Sequence, residues 1–151
     1  MIKLIRTNSN HSDLRRLVAL LDQELAEADG DEHPFYDQFN KIDNINHVVV
    51  AYIDDKPVGC GAIKRFSDDT AEVKRMYVMR ENRNQGIAKA ILRELESWAL
   101  ELNYDYTILE TGKRLENAVA LYQKGNYRII PNYGQYVGIE NSLCMKKSLV
   151  G

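Results

Sequence analysis

The chain has 151 residues and a mass of 17.4 kDa, so a single domain spanning 1–151 is expected. Hydrophobic residues make up 44% and charged residues 28%, which excludes a disordered, collagen-like or coiled-coil chain. The longest apolar run, 48–53, is too short to span a bilayer, and two distant cysteines without a CxxC motif favour a reducing cytoplasm. We therefore expect a cytoplasmic protein without a membrane partner.

The net charge of -2 hides two clusters of opposite sign. The basic cluster, 74–93, holds six basic residues and one acidic residue, and the acidic cluster, 22–37, holds seven acidic residues and no basic one. Because the whole chain is slightly acidic, the basic cluster fits a compact anion better than a long nucleic acid. No nucleic-acid partner is expected.

Hydrophobic periodicity and turn signals divide the chain into alternating elements. Strands are predicted at 2–7, 47–53, 58–66, 71–79, 106–109, 127–130 and 142–145. Helices are predicted at 12–29, 87–102 and 115–124, with a short helix or loop at 33–42. Three successive strands joined by tight turns must pair antiparallel, and the helix at 87–102 forms a right-handed crossover. The fold class is α+β (mixed α/β), with helices on a largely antiparallel sheet.

The strongest motif is the junction between the strand at 71–79 and the following helix. Gly86 stands at the start of this helix, where backbone can approach a ligand and unpaired N–H groups meet the positive end of the helix dipole. This combination predicts a site for a diphosphate-sized anion. The run matches neither GxxxxGK[ST] nor GxGxxG, and the alternative is a glycine that only eases a tight turn.

Here the sequence resembles the GNAT family of N-acetyltransferases, bacterial small-molecule branch. The family signature Arg/Gln-x-x-Gly-x-Gly/Ala fits 83–88, and the late Asn-x-x-Ala-x-x-Tyr element is similar to 117–127, with tighter spacing. The resemblance implies a splayed sheet of about six to seven strands flanked by about four helices, with acetyl-CoA as co-substrate and no metal. It implies these cofactor-binding residues: Met76, Tyr77, Val78, Arg83, Asn84, Gln85, Gly86, Ile87, Ala88, Asn117 and Tyr122.

Acetyl transfer to an amine needs a base, because an alkylamine with a pKa of about 10 is charged at neutral pH. By the resemblance, Glu72 is the candidate base, with Glu110 or water as alternatives; Glu72 could instead solvate the strand or pair with Lys74. The backbone N–H of Val78 is the expected donor to the oxyanion. Tyr122 occupies the family's general-acid position, and its alternative role is packing at a helix edge.

The predicted acceptor is the primary amine of a small molecule, attacked directly in a ternary complex. In the family, the region after the first helix walls the acceptor pocket, so the acidic cluster with Phe35, Tyr36 and Phe39 would form an acidic mouth for a cationic amine. The alternative is a solvated acidic helix end. Tyr133 and Tyr136 form a second wall or a packed loop. Cys60 and Cys144 are expected in the core, and the three histidines lack metal-ligand spacing.

Two rival functions follow from the same residues. One is a protein or peptide N-acetyltransferase, which needs an open groove for its acceptor. The other is a non-catalytic module that binds acyl-CoA as a sensor, which would not need both Glu72 and Tyr122. The resemblance also allows a homodimer.

Overall fold

All strands of the computed structural model, which describes residues 1–32 and 45–150, belong to one sheet of order β1-β2-β3-β4-β5-β7-β6. The strands are β1 Ile2–Thr7, β2 His47–Ile53, β3 Lys56–Arg65, β4 Thr70–Val78, β5 Tyr106–Gly112, β6 Arg128–Ile130 and β7 Ser142–Ser148. Each neighbouring pair is antiparallel except β4 with β5, which run parallel. The predicted α+β class with a mostly antiparallel sheet is confirmed.

Three α-helices lie in the described ranges: α1 Ser12–Asp29, α2 Ile87–Glu101 and α3 Glu116–Lys124. Short 3-10 turns occupy Gly30–Glu32, Arg80–Asn82 and Gly134–Tyr136. The element predicted at 33–42 lies outside the described residues. Across 1–32 and 45–150, none of the helices is long and apolar enough to cross a membrane.

The periodicity of the helices produces two cores, one on each face of the sheet. On one face, α1 buries Leu14, Leu17 and Leu21 against β2, β3 and Tyr77. On the other face, α2 buries a row of aliphatic side chains that pack against the sheet and α3. This row consists of Ile87, Ile91, Leu92, Leu95 and Ala99. Cys60 and Cys144 are free and fully buried, as expected.

A glycine in β3 lets α2 pack closely on the sheet. A Cβ atom added at Gly61 would lie 2.9 Å from side-chain carbons of both Ile91 and Leu95, closer than real Cβ atoms approach. The nearest atom would be Met76 Sδ of β4, at 2.6 Å, so any larger residue would force these three side chains to shift. This contact fixes the distance of α2, and hence of its N-terminus, from the sheet.

The sheet opens between β4 and β5, as the splayed fold requires. The two strands pair only through Thr70, Ala71 and Glu72, whereas β5 pairs with β7 along its whole length. From residue 73 to Val78, no described residue of β5 pairs with β4. Along residues 73–78 the edge of β4 that faces β5 therefore has no strand partner, although the Val78 carbonyl on it accepts from Arg83 Nε at 2.8 Å.

Candidate active site

The free edge of β4 ends at Val78, whose main-chain groups point into the gap. The amide of Met79 donates to the carbonyl of Val58 at 2.8 Å, and Val78 lies opposite Gly59. Main-chain groups of successive strand residues face alternate edges, so the Val78 amide and carbonyl face away from β3. The N–H of Val78, the expected oxyanion donor, therefore faces the gap, and its role stays a prediction.

A bulge in β4 changes which side chains face each core. Cys60 pairs with Tyr77 and Ala62 with Lys74, so Gly61 lies opposite two residues of β4. Arg75 takes a positive φ of 60°, which is strained for a residue with a side chain. Its guanidinium is buried on the α1 face, where it forms an ion pair with Asp22 at 2.6 Å. The sequence contains no signal for this bulge.

The turn between β4 and α2 has the form that an anion site requires. Gly86 caps α2 with a φ of 81°, and the first intrahelical bond of the helix begins at the Ala90 amide, 3.0 Å from the Gly86 carbonyl. The earlier amides of the first turn are therefore not used by the helix itself. The Arg83 amide differs from the others because it donates to Arg80 at 3.3 Å.

The opposite charge clusters meet each other across the fold. Asp22 pairs with Arg75, Glu24 with Arg80 and Arg83, and Glu27 with Arg80. These three acids of α1 form neither a free acidic mouth nor a merely solvated helix end. Phe35, Tyr36, Phe39 and Asp37, the rest of the predicted acceptor wall, lie outside the described residues.

Glu72 is buried and engaged by a tyrosine. Its side chain is 5% exposed, and the Tyr133 hydroxyl donates to Glu72 Oε2 at 2.8 Å. Burial and the Glu72 carboxylate raise the pKa of Tyr133 above its ordinary value, so the phenol stays protonated and can donate. Solvation of the strand by Glu72, one of the expected alternatives, is wrong.

Aromatic side chains and a second carboxylate surround the pair of Glu72 and Tyr133. The ring of Tyr133 makes edge contacts with Phe66 and Tyr136, at centroid distances of 5.1 and 5.7 Å. Burial, followed by the charges of Glu110 and Glu72, raises the pKa of Tyr136. The charges of both candidate bases therefore raise the pKa of one buried tyrosine, and these residues form a buried group.

Lys74 lies near both acids. Burial lowers the pKa of its ammonium, while Glu72 and Glu110 oppose that shift. The alternative role of Glu72, pairing with Lys74, thus survives as an electrostatic interaction.

Tyr122, the expected acid, is buried on the other side of the gap. It is 6% exposed, and its ring makes an edge contact with Tyr127 at 5.7 Å. Burial raises the pKa of the Tyr122 phenol, which is therefore protonated at neutral pH, as a general acid must be. The Tyr127 hydroxyl donates to Glu96 at 2.9 Å and lies 2.7 Å from the Thr107 hydroxyl, so Tyr122 packs against a fixed neighbour.

Other predicted residues take simpler places. Asn117 is exposed on the first turn of α3, while His11 caps α1 and His47 makes an edge-to-face contact with Trp98. No group of three or more metal-binding side chains occurs in the described part of the chain.

Sequence reasoning missed the partnerships of Glu72 with Tyr133 and of Glu24 with Arg83. Each joins residues about sixty positions apart, and only the charge clusters hinted at the second.

A splayed sheet with an open helix N-terminus beside its free strand edge defines a class of proteins that bind an extended ligand with an anionic end. The family model described as "Acetyltransferase (GNAT) family" matches residues 14–126. The chain therefore belongs to the GNAT acetyltransferase family, and the resemblance read from the motifs is confirmed.

Individual relatives agree with this assignment. An IAA acetyltransferase of Azospirillum brasilense is 34% identical over 93 residues, 61% of each protein. A Klebsiella pneumoniae structure assigned as an acyl-CoA N-acyltransferase has a TM-score of 0.83 and 24% identity, covering 99% of both chains. A GNAT acetyltransferase from Elizabethkingia anophelis with acetyl-CoA bound has a TM-score of 0.72 and 19% identity, covering 97% of both. The chain covers less than two thirds of the curated relatives it first matches.

Proposed function

We propose that the protein transfers an acetyl group from acetyl-CoA to the primary amine of a small molecule by direct attack in a ternary complex. The observation that carries the proposal is the free edge of β4, which runs from the open N-terminus of α2 to the buried Glu72. An anion at one end, an extended arm along the edge and a reacting carbon beside a carboxylate fit this arrangement.

The main-chain amides of 84–88 would hold the two linked phosphates, and the edge of Met76, Tyr77 and Val78 would pair with the pantetheine arm. Amide donors to phosphate are charge-assisted and strong. Asn117 would lie beside the arm. The position of Gly86, exposed and in the left-handed region, supports a close backbone approach.

Glu72 would accept the proton of the acceptor ammonium, directly or through a water, and leave a neutral amine to attack the thioester carbon. The Val78 N–H would donate to the oxygen as it becomes negative. Tyr122 would give its proton to the departing sulfur as the carbon–sulfur bond breaks. Attack leaves one proton too many on the nitrogen, and this proton would pass to the Tyr122 phenolate, directly or through water. The products are an amide, the CoA thiol and one proton, which Glu72 would release to solvent.

The burial of Glu72 among aromatic side chains supports a compact acceptor. A small ammonium that reaches Glu72 has little chain of its own to desolvate.

The experiment has two stages. Acetyl-CoA should raise the Tm, and at one hundred times Kd the stabilisation should reach about 2.7 kcal/mol. A panel of primary amines and lysine peptides is then assayed for CoA release, with mass spectrometry of the products. We expect turnover with small amines. No thermal shift at millimolar acetyl-CoA would refute the donor, and binding without turnover on any acceptor would identify a sensor module.

A further inference from the structure

Glu24 of α1 is the centre of a network that involves the turn before α2. Its carboxylate accepts from Arg83 Nη2 at 3.0 and 2.9 Å and from Arg80 Nε at 3.0 Å. Glu24 and Arg83 are half-buried, with 26% and 36% of their side chains exposed, so water screens this pair less than a surface pair. One carboxylate thus binds Arg80 and Arg83, which flank the 3-10 turn that leads into the turn before α2.

Arg83 connects this network to the end of β4. Its Nε donates to the Val78 carbonyl at 2.8 Å, and its guanidinium lies 5.6 Å from the centre of the Tyr77 ring. The side chain therefore reaches back over the strand end while its backbone begins the turn that leads to Gly86. A rotation of Arg83 would move both the turn and its hydrogen bond to Val78.

These contacts leave the two arginines poorly placed to act as direct phosphate ligands. Arg83 uses Nε and Nη2 within the protein, and Arg80 is shared between Glu24 and Glu27, the latter at 3.5 Å. The positive charge of Arg80 and Arg83, which could attract an anion, is offset here by the carboxylates of Glu24 and Glu27 in α1. Anion binding at this turn then depends on how accurately the main-chain amides are aimed.

We infer that Glu24 is a positioning residue: it holds Arg83, and through it the turn of residues 83–86, in the shape that receives linked phosphates. The inference rests on the proposed function, because it assigns Glu24 a role in binding the same CoA donor. It makes α1, a helix outside the phosphate-binding motif, part of the phosphate-binding site. Nothing in the motif at 83–88 indicates this dependence.

The test compares two ligands that share the thiol arm. CoA carries the linked phosphates and the nucleotide attached to them, whereas pantetheine carries the thiol arm alone. In Glu24→Gln, we expect the Kd for CoA, measured by calorimetry, to rise about tenfold, the equivalent of about 1.4 kcal/mol. Pantetheine binding, followed by thermal shift, should change less than CoA binding, because only the Val78 end of its contact with β4 lies beside Arg83.

Glu27→Gln is the matched control. It removes the same charge one turn further along α1, but its partner contact is longer and both side chains are about two-thirds exposed. CoA should bind this variant as it binds the wild type. If Glu24→Gln does not fold, Arg83→Lys breaks the same contact from the other side, because lysine keeps the charge but loses the forked donors.

The outcomes separate the inference from the proposed function. Unchanged CoA binding in Glu24→Gln overturns the inference, as does an equal loss for CoA and pantetheine, which would indicate general loosening. Tighter CoA binding would show that Glu24 competes with the phosphates and would also overturn it. A wild-type protein that binds no CoA would instead refute the proposed donor, and the role of Glu24 with it.

Discussion

Substitution of Gly86 by alanine tests whether the turn before α2 binds phosphates. Gly86 has a φ of 81°, and a Cβ added there would meet no other atom within 4 Å. Without ligand, the substitution therefore lowers the free energy of unfolding only through the backbone conformation, by about 1 kcal/mol for an L-residue in the left-handed region. For a chain of this size, that loss lowers the Tm by about 3 °C.

We expect Gly86→Ala to weaken CoA binding more than it lowers the stability of the protein. If the turn relaxes away from the left-handed conformation, the amides that follow it no longer point at the phosphates. Each lost hydrogen bond to a charged group is worth about 1.5–3 kcal/mol. We expect the Kd for CoA in Gly86→Ala to rise by at least about tenfold. Calorimetry gives the Kd, and a thermal melt gives the stability change of the same sample.

Gly138→Ala provides the matched control. Gly138 has a φ of 80° and equally open surroundings, but it lies in the loop before β7. It should lose a similar amount of stability and retain its affinity for CoA. If both variants are destabilised while CoA binds Gly86→Ala as tightly as the wild type, the amides of this turn do not hold the phosphates.

Three further predictions concern the acid, the base and a buried thiol. Tyr122→Phe should lower kcat about a hundredfold with little change in the Kd for CoA; an unchanged kcat would assign Tyr122 to packing alone. Glu72→Gln should flatten the acidic limb of the pH–rate profile, and a persisting limb would move the base role to Glu110 or water. Burial raises the pKa of the Cys60 thiol from 9.0 to about 12, so the unfolded chain releases this proton first and stability falls as pH rises above about 9. Denaturant titrations at pH 8 and pH 10 should show about 1.4 kcal/mol more loss in the wild type than in Cys60→Ala, and equal losses would contradict the shift.

Elements with a strong local pattern could be predicted from the sequence. The helical spacing of Leu14, Leu17 and Leu21 indicated α1, and the predicted start at Ser12 agrees with the structure. The strand β5 was predicted to end at Leu109 but extends to Gly112. Its last three residues carry no apolar alternation, and they become a strand because β7 pairs with them.

Features that depend on residues distant in the chain could not be predicted. The bulge at Arg75 breaks the alternation of β4 through a conformation that arginine rarely adopts, and Asp22, from another element, stabilises it. The two opposite charge clusters were visible, but their pairing depends on α1 lying across the end of β4. The roles of Glu72, Tyr122 and Val78 stay predictions, because chemistry at a site is decided by a ligand's position as well as by the residues around it.

The short parallel contact between β4 and β5 limits how far a ligand can enter the gap between the two strands. Glu72 and Val78 lie opposite Lys64 and Gly59 of β3, which are five residues apart, so at about 3.3 Å per residue the edge between them measures about 16 Å. The gap closes where Glu72 meets Ile108. For any ligand anchored at Gly86, this vertex is a fixed stop, so the length of the arm between anchor and sulfur, rather than a grip on the acyl group, determines where the reactive carbon comes to rest.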